Sequence, residues 1–500
     1  MVEGLRAGST PKRRLALALL GGILAGLGQV PFSLTPVALG GLALCAWLVA
    51  RCPGARTAAW TGFAAGTGYF AVTLHWIVEP FLIEPDRYGW MAPFALVFIS
   101  TGFALFWALA FGVTRRIAGT GWRFVLAFGA CLAGVEMLRS YILSGFPWAL
   151  LGYVWTESGA AQIAAWTGPF GLTLLTTLLA AGIAVAGPSL RGALSLSLAW
   201  VLPLAVGSVL MPPEEEAPAD APVIRLVQPN APQGEKWDPD RVLGFFDRQL
   251  AYSAATPAPD LIVWPETSVP YLVAPGHPAL DAIAAAADGV PVVLGAQRLD
   301  GLRLFNSLFV IGAGGGIDAI YDKYHLVPFG EYIPLGSLTR HLGLRSFAAR
   351  DGFGYAAGPG PRLLDLGAGG PVLPLICYEA IFPQDVAAAP SRPDWLLQIT
   401  NDAWFGTFAG PQQHLAQARM RTIEQGLPMI RVANTGISAV IDAAGRVLAA
   451  FPLGEAGYLD HRLPVARERT LYSRTGDLPL ALLLLATLGI AALARRRESS

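Results

Sequence analysis

Charge is what this sequence has least of. Only 14% of its 500 residues are Asp, Glu, Lys or Arg, whereas 54% are hydrophobic; a soluble domain carries about 25% charged residues. The deficit is local, which excludes a wholly soluble chain and predicts a membrane-embedded part joined to a soluble one. The charges that exist cancel, 35 basic against 35 acidic, so no net positive field draws nucleic acid. Cysteine is also scarce. Cys45, Cys52 and Cys131 lie in or beside apolar runs and Cys377 stands far from them, so no disulfide framework is expected. The six histidines, His75, His277, His325, His341, His414 and His461, are scattered without ligand-like spacing, which argues against a metal centre. No serine sits in a Gly-x-Ser-x-Gly elbow, which disfavours a serine hydrolase. No internal repeat is visible. Ala313-Gly314-Gly315-Gly316 lacks the spacing of a phosphate loop and reads as a turn between strands. Nothing calls for a cofactor.

What is present begins with long apolar runs. A helix needs about 20 apolar residues to cross a bilayer. Eight stretches qualify as expected spans, near 15–31, 36–50, 58–78, 91–113, 122–142, 163–186, 192–211 and 477–494. Lys12-Arg13-Arg14 before the first has the look of a signal peptide, but no small-residue cleavage site comes after it, so an uncleaved span is expected. Basic clusters recur at Lys12-Arg13-Arg14, Arg51/Arg56, Arg115-Arg116/Arg123, Arg191 and Arg495-Arg496-Arg497. With eight spans all fall on one side, which the positive-inside rule makes cytoplasmic. Both termini are then cytoplasmic, and the long segment between spans seven and eight lies outside, in the periplasm of a bacterium. Within span five, Glu136 and Arg139 are three residues apart and can pair. They read equally as a structural ion pair or as a functional intramembrane charge.

The predicted layout is therefore 1–211 as a seven-span bundle, 212–476 as a soluble domain, and 477–500 as an eighth span with a basic tail. After the Pro-rich linker at Met211–Pro218, short apolar runs replace long ones: Val223–Val227, Leu261–Trp264, Val292–Ala296, Leu308–Ile311, Leu373–Cys377, Leu396–Thr400, Met429–Val432 and Ser438–Ile441. Gly, Pro, Asn and Asp flank them, as they flank strands. Helical stretches intervene at Arg241–Ala255, Pro278–Ala287 and Gln412–Gln425. Apolar strands interleaved with helices indicate a buried sheet in a layered α/β domain. A long segment at 333–361 carries Leu335, Leu338, Leu342, Leu344, Phe347, Phe353 and Tyr355. It reads either as a surface loop dipping into lipid or as ordinary surface packing.

The chemistry gathers on three residues. Cys377 ends an apolar run and is followed by Tyr378-Glu379; Glu266 ends Trp264-Pro265-Glu266; Lys323 opens the stretch running to Tyr332. Taken singly, a small buried thiol, a helix-start carboxylate and a surface lysine are the stronger readings. Together they allow acyl transfer. A carboxylate takes the thiol proton, an ammonium stabilises the thiolate, and Lys323 with the Tyr378 backbone N–H supplies donors to the oxyanion. Glu266 then returns its proton to the leaving group.

With these motifs, the soluble segment resembles the nitrilase superfamily, whose catalytic Glu, Lys and Cys occur in this order on an α-β-β-α sandwich. The whole chain resembles the bacterial apolipoprotein N-acyltransferases, which join eight membrane helices to such a domain. The motifs carrying the likeness are Phe146-Pro147-Trp148, Trp264-Pro265-Glu266, Lys323 to Tyr332, Cys377-Tyr378-Glu379 and Asn401-Asp402-Ala403-Trp404-Phe405. The resemblance implies Glu266 as general base, Lys323 as oxyanion partner and Cys377 as nucleophile, with Glu331, Tyr378 and Glu379 in support. It implies a part in substrate entry for Trp237; Trp148 of the Phe-Pro-Trp motif and the intramembrane charges Glu136 and Arg139 are further substrate-binding candidates. The implied reaction moves an acyl chain from a membrane phospholipid onto Cys377 and then onto the N-terminal diacylglyceryl-cysteine amine of an apolipoprotein, by a monomer in the inner membrane. A membrane-tethered amidase using the same three residues is the alternative. A transporter or assembly protein with an inert domain is a third possibility.

Overall fold

The computed structural model describes residues 10–187, 189–334, 354–367 and 369–499. Two compact units emerge. One takes the chain up to Pro212 together with Phe408–Ala416 and everything from Thr470; the other takes Pro213–Thr407 and Gln417–Arg469.

The first unit is helical. Its principal helices are α1 (Pro11–Gly26), α2 (Thr35–Ala50), α3 (Ala55–Thr73), α4 (Ala92–Ile117), α5 (Trp122–Tyr141), α6 (Ala164–Ala186) and α7 (Leu190–Leu210), and the last helix of the chain, Leu478–Ser499, belongs with them. By length and composition, four helical stretches among the described residues suffice to cross a membrane, rather than the eight expected: Pro85–Ile117, Trp122–Tyr141, Gly159–Ala186 and Leu190–Leu210. The others fall short on length or apolarity. The packing is inside-out relative to a soluble bundle. Gly192, Ala199, Pro203 and Gly207 of α7 are buried, while Leu194, Leu198, Val201 and Val209 are exposed. Small residues inward and large apolar residues outward is the arrangement lipid favours. Gly22 on α1 shows how close the backbones come: a Cβ there would lie 1.8 Å from the Ala65 carbonyl oxygen on α3.

The second unit is built on two six-stranded sheets. The strands of the first are β1 (Val223–Gln228), β2 (Leu261–Val263), β3 (Val292–Asp300), β4 (Arg303–Ile311), β5 (Ile317–Asp322) and β12 (Gly457–Arg462). Those of the second are β6 (Leu364–Asp365), β7 (Pro371–Ile376), β8 (Trp395–Thr400), β9 (Met429–Ala433), β10 (Ser438–Ile441) and β11 (Val447–Phe451). Their spatial orders are β12-β1-β2-β3-β4-β5 and β11-β10-β9-β8-β7-β6. In each sheet three parallel strands, β1-β2-β3 and β7-β8-β9, are flanked by antiparallel ones. The inner faces meet in one core: Leu226, Val263, Leu308 and Tyr321 from one sheet, Ile376, Leu397, Ile399 and Val432 from the other. Burying apolar surface at about 25 cal/mol per Å² makes this face-to-face contact the main source of the domain's stability. Helices α8 (Val242–Ser253) and α9 (Pro278–Ala287) cover the outer face of the first sheet through Phe246, Leu280 and Ile283. Helix α10 (Gly410–Gln425) leans on the β10–β11 turn, where Arg419 donates to the Gly445 carbonyl.

Every apolar run expected to be a strand is one. The sequence reading missed β5, β6, β11 and β12, which are short or half-exposed. The Gly312–Gly316 segment is a β4–β5 turn closed by the Gly312 N–H on the Gly316 carbonyl. Of the long loop, 335–353 lies outside the described residues. Tyr355 is within them and is buried in the domain, so it is packed rather than presented to lipid.

Candidate active site

The strand ends deliver the three chemical groups to one place. Glu266 comes after β2, Lys323 after β5, and Cys377 after β7. Within the first sheet β2 and β5 run the same way, so Glu266 and Lys323 emerge on one side. Hydrogen bonds between the sheets, from the Asn401 N–H after β8 to Glu266 and from the Tyr324 N–H to Glu379 after β7, set the ends of β7 and β8 beside them.

Cys377 stands at φ +52°, in the left-handed region, directly between β7 and a 3-10 turn at Cys377–Ile381. A non-glycine residue held there stores backbone strain of about 1–3 kcal/mol, and such strain clusters at functional sites. Thr267, next to Glu266, and Phe329, two residues before Glu331, are held likewise at +51° and +63°. The Cys377 carbonyl accepts from Gln398 Nε2 at 3.1 Å. Gln398 in turn accepts from Arg431 Nη1 at 2.5 Å, and Arg431 Nη2 reaches Asp402 Oδ2 at 2.5 Å. A buried chain of polar groups across β8 and β9 thus fixes the Cys377 backbone.

Glu266 is buried and fully engaged. Its Oε1 accepts from Asn306 Nδ2 at 2.7 Å and its Oε2 from the Asn401 N–H at 2.8 Å. Gly295 lies directly beneath: a Cβ there would sit 2.6 Å from Glu266 Cα, so only glycine permits this approach. Lys323 is buried between two carboxylates, with Nζ 2.9 Å from Glu331 Oε2 and 3.6 Å from Glu266 Oε1. Burial alone would weaken the ammonium's hold on its proton; Glu331 and Glu266 reverse that and raise its pKa above the ordinary value. Glu331 is itself fixed by the Val327 N–H at 2.8 Å and by Asn306 at 3.0 Å. The thiol of Cys377 is pushed up by burial, then by the Glu266 charge, with Lys323 opposing. It therefore rests protonated, with a base and a cation within electrostatic reach.

Glu379 braces the frame. Its Oε2 accepts from the Ile376 N–H at 2.7 Å, and its Oε1 from the Tyr324 N–H at 2.9 Å and Tyr321 Oη at 3.1 Å. One carboxylate thus ties the residue before Cys377 to the residue after Lys323. Burial raises its pKa to about 7, opposed by these donors. Glu379→Gln necessarily turns an NH2 toward one of these N–H groups. We expect a loss of about 2–3 kcal/mol in unfolding free energy, read by thermal or denaturant unfolding. A stability change under about 0.5 kcal/mol, the level of an ordinary surface substitution, would show that Glu379 does not brace the site.

Tyr378 packs edge-on against Phe382 and His325, and His325 Nδ1 lies 2.7 Å from Asp385. Trp237 lines a small pocket with Lys236, Phe245, Thr267 and Asn434. The remaining sequence candidates lie in the helical unit. Arg139 and Glu136 form a fully buried pair at 2.7 Å. Arg139 donates to the carbonyls of Phe146 and Trp148, Glu136 accepts from Trp107 Nε1 at 3.1 Å, and Trp148 Nε1 donates to Gln413 at 2.7 Å. This ion pair holds the Phe146–Trp148 turn in place. Sequence reasoning missed Asn306, Gln398, Arg431 and Lys236. The available signal was a polar residue inside an apolar strand for the first three.

Comparison with known proteins shows the same division. Residues 21–182 match the family model for the apolipoprotein N-acyltransferase N-terminal domain, and residues 224–472 match that for carbon-nitrogen hydrolase. The apolipoprotein N-acyltransferase of Rhodopseudomonas palustris is 35% identical, over 98% of this chain and 96% of its own. That of Bradyrhizobium diazoefficiens is 37% identical, over 97% and 95%. Among solved structures, a nitrilase-superfamily amidase from Nesterenkonia AN1 is 19% identical, covering 53% of this chain and 98% of its own, with a TM-score of 0.38.

Proposed function

Because the chain belongs to the apolipoprotein N-acyltransferase family, we propose that it moves an acyl chain from a membrane phospholipid, through a thioester on Cys377, to the N-terminal amine of a diacylglyceryl-cysteine. The observation that carries this reading is the buried cluster of Glu266, Lys323 and Glu331 around a strained cysteine, in a chain related to these enzymes over nearly its whole length.

The first half-reaction breaks an ester. Glu266 takes the Sγ proton, and the thiolate attacks the acyl carbonyl carbon. The Lys323 ammonium and the Tyr378 N–H stabilise the developing oxyanion. Collapse expels the lysophospholipid oxygen, which receives the proton held by Glu266. In the second half the lipoprotein α-amine attacks the thioester and gives its proton to Glu266. The amide forms, the thiolate leaves, and the proton returns to it. Charge balance is kept at every step within one buried cluster, so water is not needed as a carrier.

In this reading the helices at the eight apolar stretches all cross the membrane and both termini are cytoplasmic. The second unit lies in the periplasm of a bacterium, and the protein works as a monomer. Basic residues at Arg51, Arg115, Arg116 and Arg191 support that orientation. Trp237 borders the acyl path, while Glu136, Arg139 and Trp148 serve substrate contact through the 146–148 turn. The test supplies the purified protein with a phospholipid carrying a labelled acyl chain and a diacylglyceryl lipopeptide. Label in an amide at the lipopeptide N-terminus is expected. Label released only as free fatty acid would replace the transferase with a hydrolase.

A further inference from the structure

Counting charges around the base leaves one carboxylate over. Glu266 and Glu331 bring two negative charges to a buried site, and Lys323 returns one positive charge. Buried charges are costly unless balanced. A second buried ammonium stands at the Glu266 backbone. Lys236, in the turn between β1 and α8, is 6% exposed, and its Nζ lies 3.4 Å from the Glu266 carbonyl oxygen. The turn that carries it is fixed. The Lys236 N–H bonds the Pro232 carbonyl at 2.8 Å. Gln233 accepts from Asn401 Nδ2 at 2.8 Å, and Asn401 is the residue whose N–H holds the Glu266 carboxylate. Asn434 closes the ring, donating to both Asn401 Oδ1 and the Ala231 carbonyl. The Lys236 ammonium is therefore placed by the same network that places the base. It also donates to the Glu266 carbonyl at the turn into Thr267, the strained turn against which Gly295 packs.

We propose that Lys236 is a positioning residue for this reaction, the second cation of the site, whose ammonium holds the Glu266 turn and sets the pH at which the Glu266–Cys377 pair yields the thiol proton. The inference rests on the reading of Glu266 as base and Cys377 as nucleophile.

The groups facing these charges are few. Lys236 faces Glu266 across the turn. On its own loop Glu235 is engaged by Arg241 at the surface, and the Trp237 ring lies 5.4 Å from Nζ. Glu266 faces Lys323 from the end of β5, Glu331 from the loop after it, and Cys377 from the end of β7; Asp402, paired with Arg431, adds to the field at the thiol. Burial brings the Lys236 ammonium down to about 8, against the attraction of Glu266. The charge is thus present below that pH and lost above it. Its loss leaves the buried carboxylates of the site with less positive charge beside them, which disfavours a further negative charge on the thiol.

The test avoids lipids. The full-length protein in detergent is treated with iodoacetamide across the range from mildly acidic to alkaline pH, and the rate of alkylation at the Cys377 peptide is read by mass spectrometry. For wild type the profile bends near pH 8 as Lys236 titrates. Lys236→Met is expected to react about tenfold more slowly below that pH and to merge with the wild-type profile above it, where Lys236 is already neutral. Lys236→Arg, charged throughout, follows the wild type below the bend, reacts faster than it above, and shows no bend. If the Met variant does not fold, the Arg profile decides alone: a bend that persists overturns the proposal. A Met profile that superimposes on wild type overturns it too, as does an equal loss of rate at every pH in both variants. Failure of wild-type Cys377 to react at any pH would instead strike at the reading of the nucleophile.

Discussion

Cys377→Ala abolishes acyl transfer, with the rate falling by on the order of 10⁴-fold or more, while the fold persists. The side chain removed is small and buried, and the strained backbone is retained, so unfolding free energy changes by about 1 kcal/mol or less. Cys377→Ser is nearly as inactive. A serine hydroxyl holds its proton far more tightly than a thiol, and the base here is a carboxylate. The measurement is transfer of labelled acyl chain to a lipopeptide, alongside a thermal unfolding curve. Activity within tenfold of wild type would remove Cys377 from the reaction.

Glu266→Gln produces the second largest effect. The amide cannot take the thiol proton, and general base catalysis is worth about 10²–10⁴-fold. The variant also leaves Lys323 with Glu331 alone as counter-charge. Glutamine presents an NH2 to either Asn306 Nδ2 or the Asn401 N–H, both of which are donors, so the side chain is displaced as well. The expected result is a fall in the single-turnover acylation rate of at least about 10²-fold with phospholipid binding little changed. The check is a time course of acyl-enzyme formation at saturating phospholipid. An acylation rate within threefold of wild type would assign the base elsewhere.

The proposed trio could be picked out of the sequence because buried parallel strands end abruptly. Val372–Ile376 and Leu261–Val263 are unbroken apolar runs, and a residue that carries chemistry stands just past the end of each. Lys323 was harder to place, since β5 reads Ile-Asp-Ala-Ile-Tyr-Asp and has no continuous apolar face. Edge strands β11 and β12 were missed for the same reason: many of their side chains are only partly buried or exposed. The network behind the site was not legible at all. Asn306, Gln398 and Arg431 are single polar residues in apolar runs, and only the pairing of β4, β8 and β9 shows what each one holds. Glu136 and Arg139 could be paired from their spacing. That the pair grips the Phe146 and Trp148 carbonyls depends on how the chain turns after α5, which no periodicity encodes. The spans illustrate the reverse case. Composition alone suggested eight, but helix ends are set by Gly, Pro and turn geometry, which leave four stretches long and apolar enough on their own.

The most direct test asks whether Cys377 carries the acyl chain. Purified protein is incubated with a phospholipid of one defined acyl chain and no acceptor, and the mass of the Cys377 peptide is measured. The expected product is that peptide with one acyl chain added as a hydroxylamine-labile thioester, which disappears when a diacylglyceryl lipopeptide is supplied. Continued transfer to the lipopeptide with no acyl mass on Cys377 at any time would contradict a thioester at this residue.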